Sequence, residues 1–374
     1  MPAKELQSPC MDCREVESTV HIRKRHLCND CYTTFVSYKT FKHMEKYRLL
    51  RGLPQDRPCK LLLPLSFGLS SSVLLHMLHR QIEVQRSKPH APAGFDLHVL
   101  VIEPSTISPS VPVHDEGFEL VQKFFPLCAF TRLPLEGIFD LVPDIQNVLH
   151  EYAGGTFTDN SSLPNKERLD VFRASISTAT SRTDVDTTLM TRLIVAFAQK
   201  LNCYGIVWGD TNGRLAAKAL ANVAKGRGAS VTWQVADGMS PWGLEFIFPL
   251  RELFRVEVQP YAGLTPELAR IVIPDEPPLE NTLTKNLSID ELMMRYVQTQ
   301  GEKYPGIMTN VTKTANKLQS PKNTADIPQC ALCHSFLFRP DSSIDGAGDA
   351  NASEGSPIPR FCYACERSRP DLSC

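Results

Sequence analysis

Eight of the twelve cysteines in this 374-residue chain form Cys-x-x-Cys pairs, and the pairs lie toward the two ends of the sequence. The N-terminal pairs are Cys10/Cys13 and Cys28/Cys31, and the C-terminal pairs are Cys330/Cys333 and Cys362/Cys365. Two such pairs together offer four thiolates, which is the ligand set of a structural zinc site. The spacing therefore predicts one zinc module at each end and two zinc ions in all.

Other interpretations of these cysteines stay open. The N-terminal pairs could be a redox dithiol, four unrelated buried cysteines or the ligands of an iron–sulfur cluster. The C-terminal pairs could belong to a free cysteine-rich tail, and they are separated by a polar stretch, 341–357, that we expect to be a mobile loop. If zinc binds, it must supply most of the folding energy of each module, on the order of 10–16 kcal/mol in small zinc peptides.

Length and composition set a broad frame for the fold. The length suggests two or three domains, and a net charge of -1 argues against a uniformly basic nucleic-acid binder. The polar N-terminal stretch has no apolar signal-peptide core, and we find no apolar run long enough to span a bilayer. We therefore expect a soluble cytoplasmic protein without a membrane partner, in which paired cysteines bind metal rather than form disulfides.

The densest positive region follows the first cysteine pairs. Lysines and arginines alternate with aromatic residues over 32–51, and their spacing predicts an amphipathic helix with a cationic face. Cations and stacking aromatics suit an RNA surface, although a solvated helix face explains the pattern equally well. The candidate RNA-binding residues are Arg23, Lys24, Arg25, Lys39, Lys42, Lys46, Arg48 and Arg51.

The middle of the chain alternates short apolar runs with helical patterns, which is typical of an α/β fold with a parallel sheet and helices on both faces. The predicted strands are 60–65, 96–102, 204–208 and 245–249. The predicted helices are 71–83, 116–125, 187–201, 212–225 and 252–262, with another opened by a capping box at 288–296. Residues 313–326 resemble a linker, and we find no internal repeat.

The first predicted strand runs into Ser66-Phe67-Gly68-Leu69-Ser70-Ser71-Ser72 and then into a helix. A small-residue turn at a helix N-terminus can hold an anion, and in α/β sheets ligands bind at such a place. The segment resembles a degenerate PP-loop, Ser-Gly-Gly-x-Asp-Ser, of the ATP pyrophosphatases. Ser66, Gly68 and Ser71 match the motif, whereas Phe67 replaces its first glycine and Ser70 replaces its aspartate.

These replacements bear on the chemistry of the loop. A bulky side chain at Phe67 would obstruct the approach of phosphate to the backbone, and Ser70 removes a carboxylate that could contact magnesium. Adenylation by this chain is therefore not expected, and ATP binding is doubtful. The alternative is that the serines simply cap a helix.

A second stretch, 209–222, resembles the Gly-His-Asn-x-Asp-Asp segment of PP-loop tRNA thiolases. Asp210 stands at the histidine position, and Gly213 and Arg214 stand at the paired acids. The first glycine of the motif and the small residues of the following helix are present, whereas the histidine and the two acids are replaced by other residues.

Taken together, the N-terminal cysteine block, the 66–72 loop and the C-terminal cysteines are similar to the cytoplasmic tRNA 2-thiolation protein 2 family. Residues 304–306 and 314–318 are a weaker match to the thiolase core. The resemblance implies a PP-loop, adenine nucleotide hydrolase-like fold and a non-catalytic subunit. It also implies a heterodimer with the catalytic cytoplasmic tRNA 2-thiolation protein 1. That complex transfers sulfur from a thiocarboxylated ubiquitin-related modifier to the wobble uridine, position 34, of tRNA.

The sulfur ligands of the catalytic relatives are also missing. Residues 175–180 and 248–253 stand where those relatives carry cysteines, and neither stretch contains one here. Cys59, Cys128 and Cys203 lie in or beside apolar segments and are interpreted as small buried hydrophobes. With both the loop and the sulfur ligands changed, we expect the catalytic centre to belong to the partner.

The expected organisation has four parts: an N-terminal zinc module with a basic helix (1–50), a degenerate PP-loop domain (58–272), a helix with a linker (273–326) and a C-terminal zinc module (327–374). Two further functions remain possible on the sequence. One is a self-sufficient ATP-dependent tRNA sulfurtransferase, and the other is a zinc-ribbon adaptor that binds nucleic acid.

Overall fold

The computed structural model describes residues 8–48, 59–87, 94–107, 115–274, 287–318, 327–337 and 360–370. The loop expected at 341–357 and the candidate RNA-binding residue Arg51 lie outside these ranges. Among the described residues, no helix has both the length and the apolar character that crossing a bilayer requires.

The strands of the described chain are β1 (Val20–Ile22), β2 (Arg25–Leu27), β3 (Cys59–Pro64), β4 (Phe95–Ile102), β5 (Ala129–Leu133), β6 (Gly205–Val207), β7 (Gly238–Met239) and β8 (Glu245–Ile247). The α-helices are α1 (Asn29–Lys42), α2 (Glu45–Arg48), α3 (Leu69–Arg86), α4 (Pro104–Ile107), α5 (Asp115–Phe124), α6 (Ile138–Leu141), α7 (Ile145–Ala153), α8 (Asn165–Ala174), α9 (Ala179–Lys200), α10 (Asn212–Ala224), α11 (Val231–Gln234), α12 (Arg255–Gly263), α13 (Pro266–Ile271), α14 (Ile289–Lys303), α15 (Pro305–Lys317) and α16 (Tyr363–Arg367).

Six of the strands form one mixed sheet in the order β5-β4-β3-β6-β8-β7. β3 is parallel to β4 and to β6, β4 is parallel to β5, and β7 and β8 are antiparallel. Leu61 of β3 is in register with Leu97 of β4 and with Gly205 of β6. Parallel neighbours need crossover connections, which here contain helices on both sides of the sheet. The predicted fold class is confirmed.

The central strand β3 explains why the sheet is covered on both faces. Leu61, Leu62 and Leu63 are all 0% exposed, although successive side chains of a strand point to opposite faces. Each fully buried leucine stabilises the fold by roughly 1.5–3 kcal/mol relative to an exposed one. The continuous apolar run in the sequence therefore marks a strand buried on both sides.

The strand order also locates the ligand-binding edge. From β3 the chain moves to β4 and β5 on one side and later returns to β6 on the other side. The carboxyl ends of β3 and β6 therefore form a topological switch point, where α/β sheets bind ligands. The 66–72 loop follows β3, and the 209–222 stretch follows β6.

Some predicted elements are wrong in extent. The single helix expected at 32–51 is two helices, because the His43 and Met44 amides donate to the Thr40 and Phe41 carbonyls and close α1 in a tight turn. The linker expected at 313–326 is helical over 313–317, where α15 continues. β5 was not predicted, because this edge strand is only partly buried and has no continuous apolar run.

By its internal contacts the chain divides into two compact units, each discontinuous in sequence. Unit 1 comprises Met1–Leu133, Asn202–Leu215 and Ile247–Pro278, and it includes the N-terminal cysteine pairs. Unit 2 comprises Pro134–Leu201, Ala216–Phe246 and Leu279–Cys374, and it includes the C-terminal pairs. The four-part division by chain order stays a prediction.

Gly209, two residues after the end of β6, lies against the first turn of α3. A Cβ atom built on Gly209 would lie 2.7 Å from the Cα atom of Ser71, closer than real side chains come to a backbone. We expect Gly209→Ala to lower the free energy of unfolding by about 1–3 kcal/mol, because the new methyl group must displace α3.

Gly263→Ala is the matched control for this prediction, since Gly263 ends α12 and a Cβ there meets nothing within 4 Å. Its effect should stay within about 1 kcal/mol. Urea denaturation followed by circular dichroism measures both variants. Equal midpoints for the two would contradict the tight packing at Gly209.

Candidate functional site

The loop predicted to resemble a PP-loop joins β3 to the 18-residue helix α3. Ser66 is exposed, and Gly68 and Ser70 are partly exposed. The Ser66 and Ser71 hydroxyl oxygens are 3.1 Å apart, and Ser71 Oγ donates to the Gly68 carbonyl at 3.1 Å. The two serines that match the motif therefore close the loop at the positive end of the helix dipole.

The alternative of a serine cap is wrong for this helix. Gly68 is the N-cap of α3, and no side chain accepts a hydrogen bond there. The first turn of the helix is thus left to backbone amides, which is the arrangement that favours an anion. In this loop Ser70 offers a hydroxyl where the motif offers a carboxylate.

Phe67 keeps the backbone shape of the glycine that it replaces. Its φ is +57°, in the left-handed region that glycine adopts easily and that costs other residues on the order of 1–3 kcal/mol. The ring is 0% exposed and belongs to the hydrophobic core of unit 1, and the Phe67 carbonyl accepts a hydrogen bond from the Ile273 amide at 2.8 Å. The expectation that this side chain obstructs the approach of phosphate to the backbone is therefore wrong, because the ring points into the core.

The polar residues of the second motif hold the neighbouring turn together. Asp210 is buried, and its carboxylate lies 3.3 Å from Arg214 Nε. The Asn212 amide donates to the Leu253 carbonyl at 2.8 Å, and its side chain donates to the Arg251 carbonyl at 2.9 Å. The buried Asp210 carboxylate is thus paired with an arginine whose side chain is 62% exposed, and Asn212 holds the turn against the segment before α12.

The four sulfur atoms of Cys10, Cys13, Cys28 and Cys31 all lie within 4.8 Å of one another. The Sγ atoms of Cys13 and Cys28 are 3.9 Å apart. A tetrahedral zinc ion with bonds of about 2.3 Å places its sulfurs about 3.8 Å apart. In a four-iron cluster each thiolate binds a different iron atom, so the sulfurs stand farther apart. The arrangement fits a single tetrahedral ion.

The four sulfurs of the C-terminal pairs, Cys330, Cys333, Cys362 and Cys365, also lie within 4.8 Å of one another. The Cys333 and Cys362 sulfurs are 3.6 Å apart, and Cys330 and Cys365 are 0% exposed. Hydrogen bonds with the other thiols, Cys330 first, lower the pKa of Cys333 well below its usual value, and the nearby Arg227 cation acts in the same direction. At Cys362 and Cys365, hydrogen bonds with the other thiols, Cys330 first, raise the pKa instead, so the thiolate form is favoured at Cys333 and not at all four sulfurs.

The two clusters share a local structure that the sequence does not reveal as a repeat. In each, the residue after the first Cys-x-x-Cys pair has a positive φ, +60° at Arg14 and +57° at His334, and its amide bonds back to the first cysteine of the pair. The second pair opens a helix, with Cys28 capping α1 and Cys362 capping α16. The two clusters therefore share a turn and a helix cap.

Three of the predicted RNA-binding cations bind acidic residues of unit 1. Arg23 donates to both carboxylate oxygens of Glu257, one of them at 2.8 Å. Lys39 and Lys42 lie 2.7 Å and 3.1 Å from the Glu252 carboxylate. Burial acts to raise the pKa of Glu252, but hydrogen bonds from the two lysines outweigh it and hold the pKa at about 2. These cations attach the N-terminal module to α12 and the segment before it.

The other predicted cations differ in their surroundings. Arg25 pairs with Asp12, and Lys46 lies 5.4 Å and 5.8 Å from the centres of the Tyr47 and Tyr204 rings. Arg48 ends α2. Lys24 is exposed at the turn between β1 and β2 with a φ of +63°, so its side chain is presented to solvent. RNA contact by these residues stays a prediction.

Two of the three core cysteines, Cys128 and Cys203, have little thiolate character. Cys59 and Cys203 are buried, and Cys128 is partly buried. Burial raises the pKa of Cys128 to about 12 and that of Cys203 to about 11. A sulfur carrier acts as a thiolate, so neither thiol is activated near neutral pH. In 175–180, Thr178 instead caps α9 by accepting a hydrogen bond from the Ser181 amide at 3.0 Å.

Sequence reasoning missed the buried charges around the C-terminal cluster. Arg192 of α9 donates to the Ala331 carbonyl at 2.8 Å, and Arg227 bonds to Asp184 and to the Cys365 sulfur. A signal existed for Arg192, because it shares a helix face with the apolar residues that the pattern predicts to be buried. Arg227 follows the end of α10 in a short turn and carries no periodic signal.

Comparison with known proteins identifies close relatives over the full length. A family model described as cytoplasmic tRNA 2-thiolation protein 2 matches residues 288–357. The proteins of that name from Aspergillus clavatus and Aspergillus oryzae are 60% and 61% identical over 373 residues, which covers 100% of both chains in each case. The protein of that name from Coccidioides immitis is 41% identical over 368 residues, 97% of both chains.

A solved structure supports the fold. The U34-tRNA thiolase NcsA from Methanococcus maripaludis with its 4Fe–4S cluster matches with a TM-score of 0.55 and 14% identity, over 88% of this chain and 92% of that chain. At this level of identity the match supports a PP-loop thiolase-like fold and no particular activity.

Loss of one cysteine should empty one metal site. We expect the purified chain to hold two ions and Cys13→Ser to hold one, because three thiolates bind the ion much more weakly than four. Cys203→Ser is the control, since Cys203 lies outside both clusters, and it should keep two ions. Elemental analysis of the purified chains measures this. Two ions in the Cys13→Ser chain would contradict the assignment.

Proposed function

The chain belongs to the cytoplasmic tRNA 2-thiolation protein 2 family, and on this premise we propose that it is a non-catalytic subunit of a cytoplasmic tRNA 2-thiolation complex. Its partner in the proposed heterodimer is the catalytic PP-loop thiolase, cytoplasmic tRNA 2-thiolation protein 1. The complex takes sulfur from a thiocarboxylated ubiquitin-related modifier and places it on the wobble uridine, position 34, of tRNA.

The altered loop at the switch point carries this proposal. Phe67 keeps the left-handed backbone of a glycine, and Ser66 and Ser71 close the turn, but Ser70 brings no carboxylate. Without that carboxylate a magnesium-bound nucleotide loses a ligand of the kind that magnesium prefers. The sheet edge has the shape of an adenylation site without its full chemistry.

The core thiols support the same conclusion about sulfur transfer. Cys128 and Cys203 have raised pKa values, and the two stretches that carry cysteines in catalytic relatives contain none here. A self-sufficient sulfurtransferase would need an activated thiolate in the core. In the proposed complex that thiolate belongs to the partner.

We further propose that each cysteine cluster holds one zinc ion. The spacing of the sulfurs suits a single tetrahedral ion, and each cluster joins a knuckle turn to the start of a helix. Bound zinc supplies folding energy to modules that have few apolar residues of their own. The protein residues around each cluster orient the ligands and attach the module to its unit.

Activity of separate and combined subunits tests the proposal. The isolated chain, given ATP, a sulfur donor and tRNA, should release no pyrophosphate and thiolate no tRNA. Added to the catalytic partner, it should allow thiolation, and Ser70→Ala should change the rate less than about twofold, because Ser70 contributes no charge to catalysis. Thiolation by the isolated chain, or a tenfold loss with Ser70→Ala, would contradict a non-catalytic role.

Substitutions at two lysines distinguish contact with RNA from attachment of the N-terminal module to unit 1. Lys24→Ala should weaken tRNA binding by the complex and reduce the slope of log affinity against log salt by about 0.7–0.9, the value for one lost phosphate contact. Lys39→Ala, which breaks the pair with Glu252, should leave this slope unchanged and lower stability by at most about 1 kcal/mol.

Fluorescence anisotropy with labelled tRNA at several salt concentrations measures the slope, and urea denaturation measures stability. An unchanged slope in Lys24→Ala would exclude this residue from the tRNA surface. Equal binding of unrelated nucleic acids at matched salt would favour a general nucleic-acid adaptor instead.

A further inference from the structure

Arg227 connects the C-terminal cysteine cluster to a buried acid of the same unit. Its Nη2 donates to Cys365 Sγ at 3.3 Å, and its Nη1 lies 3.9 Å from Cys362 Sγ. On the other side, Nε donates to the Asp184 carboxylate at 3.0 Å. The Arg227 side chain is 3% exposed and that of Asp184 is 6% exposed. The guanidinium therefore faces sulfur and carboxylate in the absence of bulk water.

The surrounding charges explain why the cation faces the sulfurs. Lys225 also binds Asp184, at 2.9 Å, but it has a second carboxylate, Asp290, at 2.8 Å. Arg227 has the planar set of donors that can serve an acid and a sulfur together. A divalent ion with four thiolates carries a net charge of about −2, which a buried site must compensate. Arg227 is placed to do this.

Among the residues that the structure describes, the N-terminal cluster has no such contact with a cation. Within the described ranges, no lysine or arginine donates a hydrogen bond to the sulfur of Cys10, Cys13, Cys28 or Cys31. Cys13 and Cys31 are partly exposed, whereas in the C-terminal cluster only Cys362 is. The two sites thus offer the same ligands in different electrostatic surroundings.

We propose that Arg227 is a positioning residue of the C-terminal metal site and makes this site the slower of the two to release its ion. Its hydrogen bonds to Cys365 Sγ and Cys362 Sγ hold both sulfurs in place. Groups that contact metal ligands in this way typically contribute 10- to 100-fold to metal affinity. The inference rests on the proposed zinc occupancy of both clusters.

Release of zinc from the full chain to an excess of a colorimetric chelator tests the proposal. The wild-type chain should release two ions in two phases of equal size, and Cys362→Ser should lack the slow phase. Arg227→Gln should accelerate the slow phase about 10-fold or more and leave the fast phase unchanged. Arg227→Lys, which keeps the charge but loses the fork of donors, should lie between them.

Arg168→Gln is the matched control, because Arg168 is a buried arginine of the same unit that pairs with Asp159 at 2.6 Å. Equal acceleration in this variant would show a general loss of stability and overturn the role of Arg227. Cobalt-loaded protein gives a second readout, since the sulfur-to-cobalt charge-transfer band should shift in Arg227→Gln and not in Arg168→Gln. An unshifted band would also overturn the proposal.

The order of release keeps the proposal testable if Arg227→Gln does not fold. The variants Cys13→Ser and Cys362→Ser identify which site each phase comes from. A wild-type chain that loses its C-terminal ion first would contradict the proposed role of Arg227 but not the proposed zinc occupancy. A chain that binds no ion at either cluster would contradict the proposed zinc occupancy itself. The two failures are therefore distinguishable by the metal content measured before release.

Discussion

Ion pairs at buried carboxylates attach both cysteine modules to the units that contain them. In unit 1, Glu257 is buried and binds Arg23 of the β1–β2 hairpin, while the Tyr32 hydroxyl donates to the Glu257 carbonyl at 2.7 Å. In unit 2, Asp184 binds Arg227, which in turn contacts the cluster sulfurs. Removing one partner of such a pair leaves an uncompensated buried charge, which is strongly destabilising. The position of each module therefore depends on acids far away in the sequence.

Under the proposed function, the 66–72 loop has lost the chemistry of a binding site while its backbone shape persists. Gly209 still allows the turn after β6 to touch Ser71, and Phe67 still has a positive φ. The backbone geometry is fixed by the packing of β3, α3 and β6, which the fold needs in any case. The aspartate that the motif has at the position of Ser70 serves chemistry and not packing. Its replacement by serine therefore leaves the backbone geometry of the loop unchanged.

The sequence predicts those features that depend on local pattern. Paired cysteines predict the two clusters, the leucines of β3 predict a strand buried on both faces, and Ser288 predicts the start of α14. It does not predict the contact between Arg23 and Glu257, because 234 residues separate them. The sequence likewise does not predict that Lys39 and Lys42, whose spacing suits an RNA surface, form ion pairs with the distant Glu252. The burial of Phe67 also depends on tertiary packing and cannot be inferred from the motif.

The discontinuous units impose an order on folding during synthesis. Unit 1 has all its segments once residue 278 is made, so it can assemble early, in keeping with the N-terminal-first folding of growing chains. Unit 2 includes Cys362 and Cys365, and the contact of Arg227 with the Cys365 sulfur cannot form until the ribosome has added them. A nascent chain whose synthesis stops between residues 278 and 362 would contain all of unit 1 and an incomplete unit 2. Quality-control factors could recognise that incomplete unit.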